Sequence, residues 1–121
     1  MSVTIFGIKN CNTMKKAFTW LKDHGVQHDF HDYKASGIDK THLEGWCKAL
    51  GWETVLNRAG TTFRKLSETD RENLTEKKAI ALMIAQPSMI KRPILEYGPI
   101  GNGGKVMAGF KPDLYAAALK R

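Results

Sequence analysis

The spacing of apolar residues changes along the chain, and each change marks an element. "VTIFGI" (residues 3–8) is a β-branched and aromatic run that predicts a buried strand. From Met14 the period lengthens: Met14, Ala17, Phe18 and Leu21 share one helical face at i, i+3, i+4 and i+7. Gly25 is the expected C-cap. "VQHDFHDY" (residues 26–33) predicts a second, polar, edge-like strand. Strand, helix and strand within about 30 residues is the spacing of a right-handed βαβ unit.

The middle of the chain reads as helical. "KASGIDK" is a loop, and Thr41 followed by Glu44 is a capping box that opens a helix to about Leu50. Leu43, Trp46, Cys47 and Leu50 form its apolar face. "LNRAGTTFRKL" (residues 56–66) has no clean period and reads as a loop with a turn at Ala59-Gly60. Thr69 and Glu72 give a second capping box. Thr75 opens "EKKAIALMIAQ", apolar on nearly every side after Lys78, which predicts a buried helix stopped by Pro87.

The last third carries a hairpin signal. "ILEY" and "KVMAG" are strand-like, with Gly98-Pro99 and Asn102-Gly103 as turn residues between them. Gly101, Gly103 and Gly104 belong to that turn and not to a phosphate loop, because no strand-to-helix context surrounds them. Pro112 starts a closing helix whose apolar face is Leu114, Tyr115, Ala118 and Leu119, with Lys120 and Arg121 at its C-terminal end. Without the middle helices the order is βαβ-ββα. The fold class is therefore α/β: a thioredoxin-like core from residues 1–36 and 87–121, with a helical insert at 37–86.

Composition narrows the function classes. A chain of 121 residues fits one domain. It lacks any apolar run near the roughly 20 residues that span a bilayer. "MSVTIFG" has no basic region and no long apolar segment, so neither a signal peptide nor a membrane is expected and the cytoplasm is the expected location. Two cysteines are too few for a disulfide framework. The four histidines lack metal-ligand spacing, so no metal is expected. A net charge of +7 favours anionic partners. The charge is spread along the chain with no basic stripe, so nucleic acid is not an expected partner.

Cys11 stands where the first strand ends and the first helix begins. Unpaired N–H groups at a helix start favour an anion, and the thiolate is the nucleophilic form. With a free pKa near 8.5 only about 3% of a thiol is ionised at pH 7, so this placement changes reactivity. Lys9, Lys15 and Lys16 push the same way. Asn12 is the neighbouring polar group. Met14 stands where the second cysteine of a Cys-x-x-Cys pair would be. Cys47 lies on an apolar stripe and reads as core. Arg58, Arg64, Lys91 and Arg92 are candidate anion holders, because arginine's planar fork suits carboxylates and oxyanions. Arg92-Pro93 directly precedes a strand, in extended geometry.

"FGIKNCNTMKKAFTWL", "LNRAGTTFRKL", "IKRPIL" and "VMAGFKPDLY" span almost the whole chain. Together they resemble the ArsC/Spx (arsenate reductase-like) family of thioredoxin-fold proteins, and within it the YffB-type branch. The resemblance implies a thioredoxin-like core with an inserted helical subdomain, Cys11 as redox nucleophile, a cis peptide at Arg92-Pro93 and no metal. Arsenate reductases of this family bind the oxyanion with three arginines and resolve the adduct with glutathione and glutaredoxin. Arg92 matches the second arginine; the first aligns with Asn57 or Arg58; the third falls near Ala108, with Lys105 and Lys111 the nearest basic residues. Spx-type regulators usually carry Cys-x-x-Cys, which Met14 interrupts here.

The leading expectation is a glutathione-dependent monothiol reductase, a thiol–disulfide oxidoreductase with no bound cofactor. Cys11 is its nucleophile; Lys9, Asn12, Arg58, Arg92 and Pro93 hold glutathione or a thiol or disulfide substrate. The alternatives are an arsenate (oxyanion) reductase and a non-enzymatic regulator binding a protein partner such as RNA polymerase.

Overall fold

The computed structural model describes residues 2–9, 11–98 and 105–120. In chain order the elements are β1 (Ser2–Gly7), α1 (Asn12–Asp23), β2 (Asp29–Asp32), α2 (Tyr33–Ser36), α3 (Lys40–Leu50), α4 (Trp52–Val55), α5 (Thr61–Arg64), α6 (Glu68–Arg71) and α7 (Glu76–Ala85). A 3₁₀ turn (Pro87–Met89), β3 (Ile94–Gly98), β4 (Lys105–Ala108) and α8 (Pro112–Leu119) complete it. The chain divides into two compact units: residues 1–32 with 92–121, and residues 33–91.

The first unit holds a four-stranded sheet in the order β2-β1-β3-β4. β1 and β2 are parallel, as the crossover through α1 requires, and β3 is antiparallel to both β1 and β4. This mixed sheet with its helices is the expected α/β, thioredoxin-like arrangement. Ile5 pairs with Phe30 on one side and Leu95 on the other. Val3, Ile5, Leu95, Met14, Ala17, Leu21, Tyr115 and Leu119 are buried together as its core.

The buried face of α1 is Met14, Ala17, Trp20 and Leu21. Phe18, expected inside, is half-buried at the rim, edge-on to Phe30 with ring centroids 5.1 Å apart. The helix ends in a Schellman motif: the Gly25 N–H donates to Lys22 O and the Val26 N–H to Leu21 O. Gly25 at φ +66° holds the left-handed position after the His24 cap. The second strand, expected over residues 26–33, covers Asp29–Asp32, because Val26 still closes the end of α1 and Tyr33 already begins α2.

Gly7 is required by close approach. A Cβ there would overlap the Sδ and Cε of Met14, which is fully buried. Gly7→Ala is expected to lower stability by about 1–3 kcal/mol. It should appear as a reduced urea midpoint at unchanged slope.

The second unit corrects several caps. Asp39 caps α3, accepting from the His42 N–H at 2.8 Å, so Thr41 lies inside the helix. Ser67 caps α6, accepting from the Asp70 N–H, in place of the Thr69–Glu72 box. Thr75 does cap α7, accepting from the Lys78 N–H. Segment 56–66 contains α5 and a bridge from Leu56 to Ile90. α7 buries only Ala79, Ile80 and Met83 and leaves Ile84 exposed, because one face alone meets the unit's core. Leu114 on α8 is likewise exposed. The turn expected at Pro99 and at Asn102-Gly103, with Gly101 and Gly104, lies outside the described residues, as does Arg121.

Candidate active site

Cys11 is the N-cap of α1, with extended backbone angles (φ −108°, ψ 130°), and its carbonyl accepts the first helical bond from the Lys15 N–H at 2.9 Å. No acidic side chain lies in the first turn of the helix. The thiol is half-buried and unbridged. Its side chain closes no capping hydrogen bond of full geometry, yet the nearby amides act on its charge. Burial is the largest single influence on the thiol and pushes its pKa up. Against it work the Met14 N–H, a hydrogen bond from the Arg92 side chain, the Thr13 N–H and the Arg92 charge, and together they hold the thiol below its ordinary value.

The fold brings Arg92 to that sulfur by a short route. Arg92 and Pro93 lead into β3, the neighbour of β1, and β1 leads to Cys11. The Arg92–Pro93 peptide is cis. Pro93 is buried, and its carbonyl accepts from the Gly109 N–H at 2.8 Å, which ties the segment to the end of β4. Tyr115, fully buried in α8, donates its hydroxyl to Gly109 O at 3.3 Å.

Of the residues singled out by sequence, Cys11, Arg92 and Pro93 all lie in the first unit, and Arg92 reaches the Cys11 sulfur. Lys9 is an exposed turn residue and Asn12 the exposed first residue of α1. Arg58 belongs to the second unit, where it is exposed with its guanidinium 5.9 Å from the Trp52 ring centroid. Arg64 is exposed on α5, and the Lys91 N–H donates to Val55 O. Cys47 is buried in the second unit, and burial followed by the Glu76 charge pushes its thiol up to about 11. The backbone groups of Thr13, Met14 and Gly109 carry no side-chain signature, so sequence reading missed them. Among the described residues no three metal-ligating side chains cluster, and no helix is long and apolar enough to cross a membrane.

A model of the ArsC family matches residues 6–118. The chain belongs to the ArsC family. Among solved structures it is similar to a YffB protein, at 61% identity over 98% of this chain and 99% of that one, with a TM-score of 0.89. It is also similar to an arsenate reductase (ArsC) related protein from Brucella melitensis, at 56% identity over 100% and 97%, with a TM-score of 0.74. Among curated proteins, an uncharacterized one from Haemophilus influenzae is 39% identical over 97% of this chain and 98% of its own. The global transcriptional regulator Spx of Streptococcus pyogenes is 29% identical over 98% and 86%. Cys11, Arg92 and the Ala108 position all fall within the matched residues.

Proposed function

We propose that this ArsC-family chain is a monothiol reductase that takes its electrons from glutathione. One observation carries the reading: a half-buried cysteine caps α1, and Arg92 donates to its sulfur so that the thiol sits below its ordinary pKa. The Cys11 thiolate attacks the glutathionyl sulfur of a mixed disulfide. The old S–S bond breaks, a new one joins Cys11 to glutathione, and the substrate sulfur leaves as thiolate and takes a proton from water. A second glutathione thiolate then attacks the Cys11 adduct, releasing the Cys11 thiolate and oxidised glutathione. Two electrons pass from glutathione to the substrate disulfide.

An external thiol is the natural resolving group. Met14, fully buried, occupies the position three residues on, and Cys47 is buried with a raised pKa. Lys9, Asn12 and Arg92 are the polar groups we assign to glutathione, whose carboxylates suit a cationic mouth. The test is turnover of a small glutathione mixed disulfide with excess glutathione, coupled to glutathione reductase, with mass spectrometry of the trapped protein. Turnover with a glutathionyl adduct on Cys11 is expected; neither turnover nor adduct contradicts the reading.

Arg92→Leu removes a hydrogen bond and a positive charge that favour the thiolate. The thiol pKa should therefore rise, and the pH profile of alkylation by iodoacetamide should move to higher pH. Below the shifted midpoint the variant reacts more slowly than the native protein, and well above it the two converge.

A second reading, oxyanion reduction, is supported by the Arg92 hydrogen bond and charge at the thiol. It predicts glutathione oxidation that starts only when arsenate is added. The position matching the family's third arginine is Ala108, which pairs with Ile94 in the β3–β4 ladder and offers no cation, so the disulfide reading is preferred.

A further inference from the structure

An open groove of about 370 Å³ runs along the outer face of α1, lined by Lys15, Lys16, Thr19, Trp20, Asp23 and His24, with Phe110 as its far wall. Every one of these residues belongs to the first unit. The floor is aromatic. The Trp20 ring stacks on His24 at 4.0 Å between centroids, and Trp20 and Phe110 both pack edge-on against buried Tyr115. The polar ends differ in sign. Lys15 and Lys16 stand at the end nearer Cys11, and Asp23 at the other. Among the described residues no ion pair engages these three side chains.

Cys11 does not line the groove, but two backbone links bring the groove's walls close to it. Lys15 lies one helical turn beyond Cys11, and Phe110 follows Gly109, which is hydrogen-bonded to Pro93. Cys11 and Phe110 both pack at the rim of the same apolar core. We propose that the groove is the substrate subsite of the reductase: it receives the peptide segment that follows or precedes a glutathionylated cysteine in a protein substrate. This rests on the function proposed above and names its substrate class.

The dimensions set the segment's chemistry. From Cys11 to Lys15 is about 6 Å along the helix axis, and from Cys11 to Trp20 about 13 Å. An extended peptide advances about 3.3 Å per residue. An acidic side chain about two residues from the substrate cysteine meets Lys15 and Lys16. An apolar side chain about four residues away meets Trp20 and Phe110. An enclosed small-molecule site would bury most of its ligand; this groove is open along its length, which suits a strand of peptide. The chemistry is that of the proposed cycle. Cys11 takes the glutathionyl group, and the peptide cysteine leaves as thiolate from the groove end and is protonated by water.

The test compares three glutathione mixed disulfides on the full chain: the peptide Cys-Ala-Glu-Ala-Leu, the peptide Cys-Ala-Lys-Ala-Lys, and 2-mercaptoethanol. For the native protein, kcat/KM for the acidic–apolar peptide should exceed that for the basic one by about tenfold. Thr19 is exposed on α1, so Thr19→Trp fills the groove from outside without entering the core. In Thr19→Trp, and separately in Lys16→Glu, the ratio of acidic–apolar peptide to 2-mercaptoethanol disulfide should fall at least fivefold. Equal rates for the two peptides, or a ratio unmoved by both substitutions, overturns the groove as a subsite while leaving the reductase intact. No reaction with any of the three disulfides instead defeats the reductase reading itself.

Discussion

Cys11→Ser is expected to abolish both glutathione adduct formation and disulfide turnover, by about a thousandfold or more. Every favourable contact at this site acts on a thiolate: the Met14 and Thr13 amides, the Arg92 hydrogen bond and the Arg92 charge. A serine hydroxyl in the same place stays protonated at neutral pH and is a weak nucleophile. The other cysteine is a poor substitute. Cys47 is 3% exposed, and its thiol at about 11 is almost entirely protonated at neutral pH. Cys47→Ala is therefore expected to retain turnover. Steady-state assays of both variants, with circular dichroism to check folding, decide the matter. Turnover surviving in Cys11→Ser but lost in Cys47→Ala would reverse the assignment.

Tyr115→Ala is expected to give the largest loss of stability, about 3–5 kcal/mol. Tyr115 is fully buried, with its ring edge-on to Trp20 at 5.6 Å and to Phe110 at 4.8 Å. Truncation removes the ring joining α8 to α1 and leaves a cavity beside Trp20 and Phe110. A domain of this size is stable by about 5–15 kcal/mol, so the loss is a large share of the total. Tyr115→Phe keeps the ring and loses only a long hydrogen bond to Gly109 O, at 3.3 Å. It should cost about 1 kcal/mol. Urea melts of the two variants separate packing from hydrogen bonding. Because Gly109 also donates to Pro93 O, Tyr115→Ala should further slow alkylation of Cys11 at neutral pH, under conditions where the variant is still folded.

The sequence made the frame of this molecule readable, because its periods are clean where one face is buried. The β-branched and aromatic run forms β1, the helical period forms α1, and the antiparallel β3–β4 pair sits where the two strand-like runs occur. The pattern failed where burial was not simply one-sided. Phe18 and Trp20 both fit an apolar helix, and only the position of Phe30 and Tyr115 decides which is at the rim and which in the core. α7 looks buried all round, yet Ile84 is exposed, because only the face carrying Ala79, Ile80 and Met83 is buried. The capping boxes misled because Asp39 and Ser67, each two residues before the chosen threonine, take the cap first.

At the site, Cys11 was legible from its place between a strand and a helix, and Arg92-Pro93 from its place before a strand. Their meeting depends on β1 and β3 being neighbours in the sheet, which spacing along the chain does not encode. The groove beside α1 was invisible in the same way. Lys15, Trp20 and Asp23 lie on one helix, but the wall opposite them comes from Phe110, ninety residues later.

Whether Cys11 is held as a reactive thiolate shows directly in the rate of its alkylation as a function of pH. The profile should follow a single ionisation with its midpoint below that of an ordinary free cysteine thiol, and that ionisation should disappear in Cys11→Ser. A midpoint at or above the ordinary value would contradict the account, since burial would then outweigh the helix amides and Arg92.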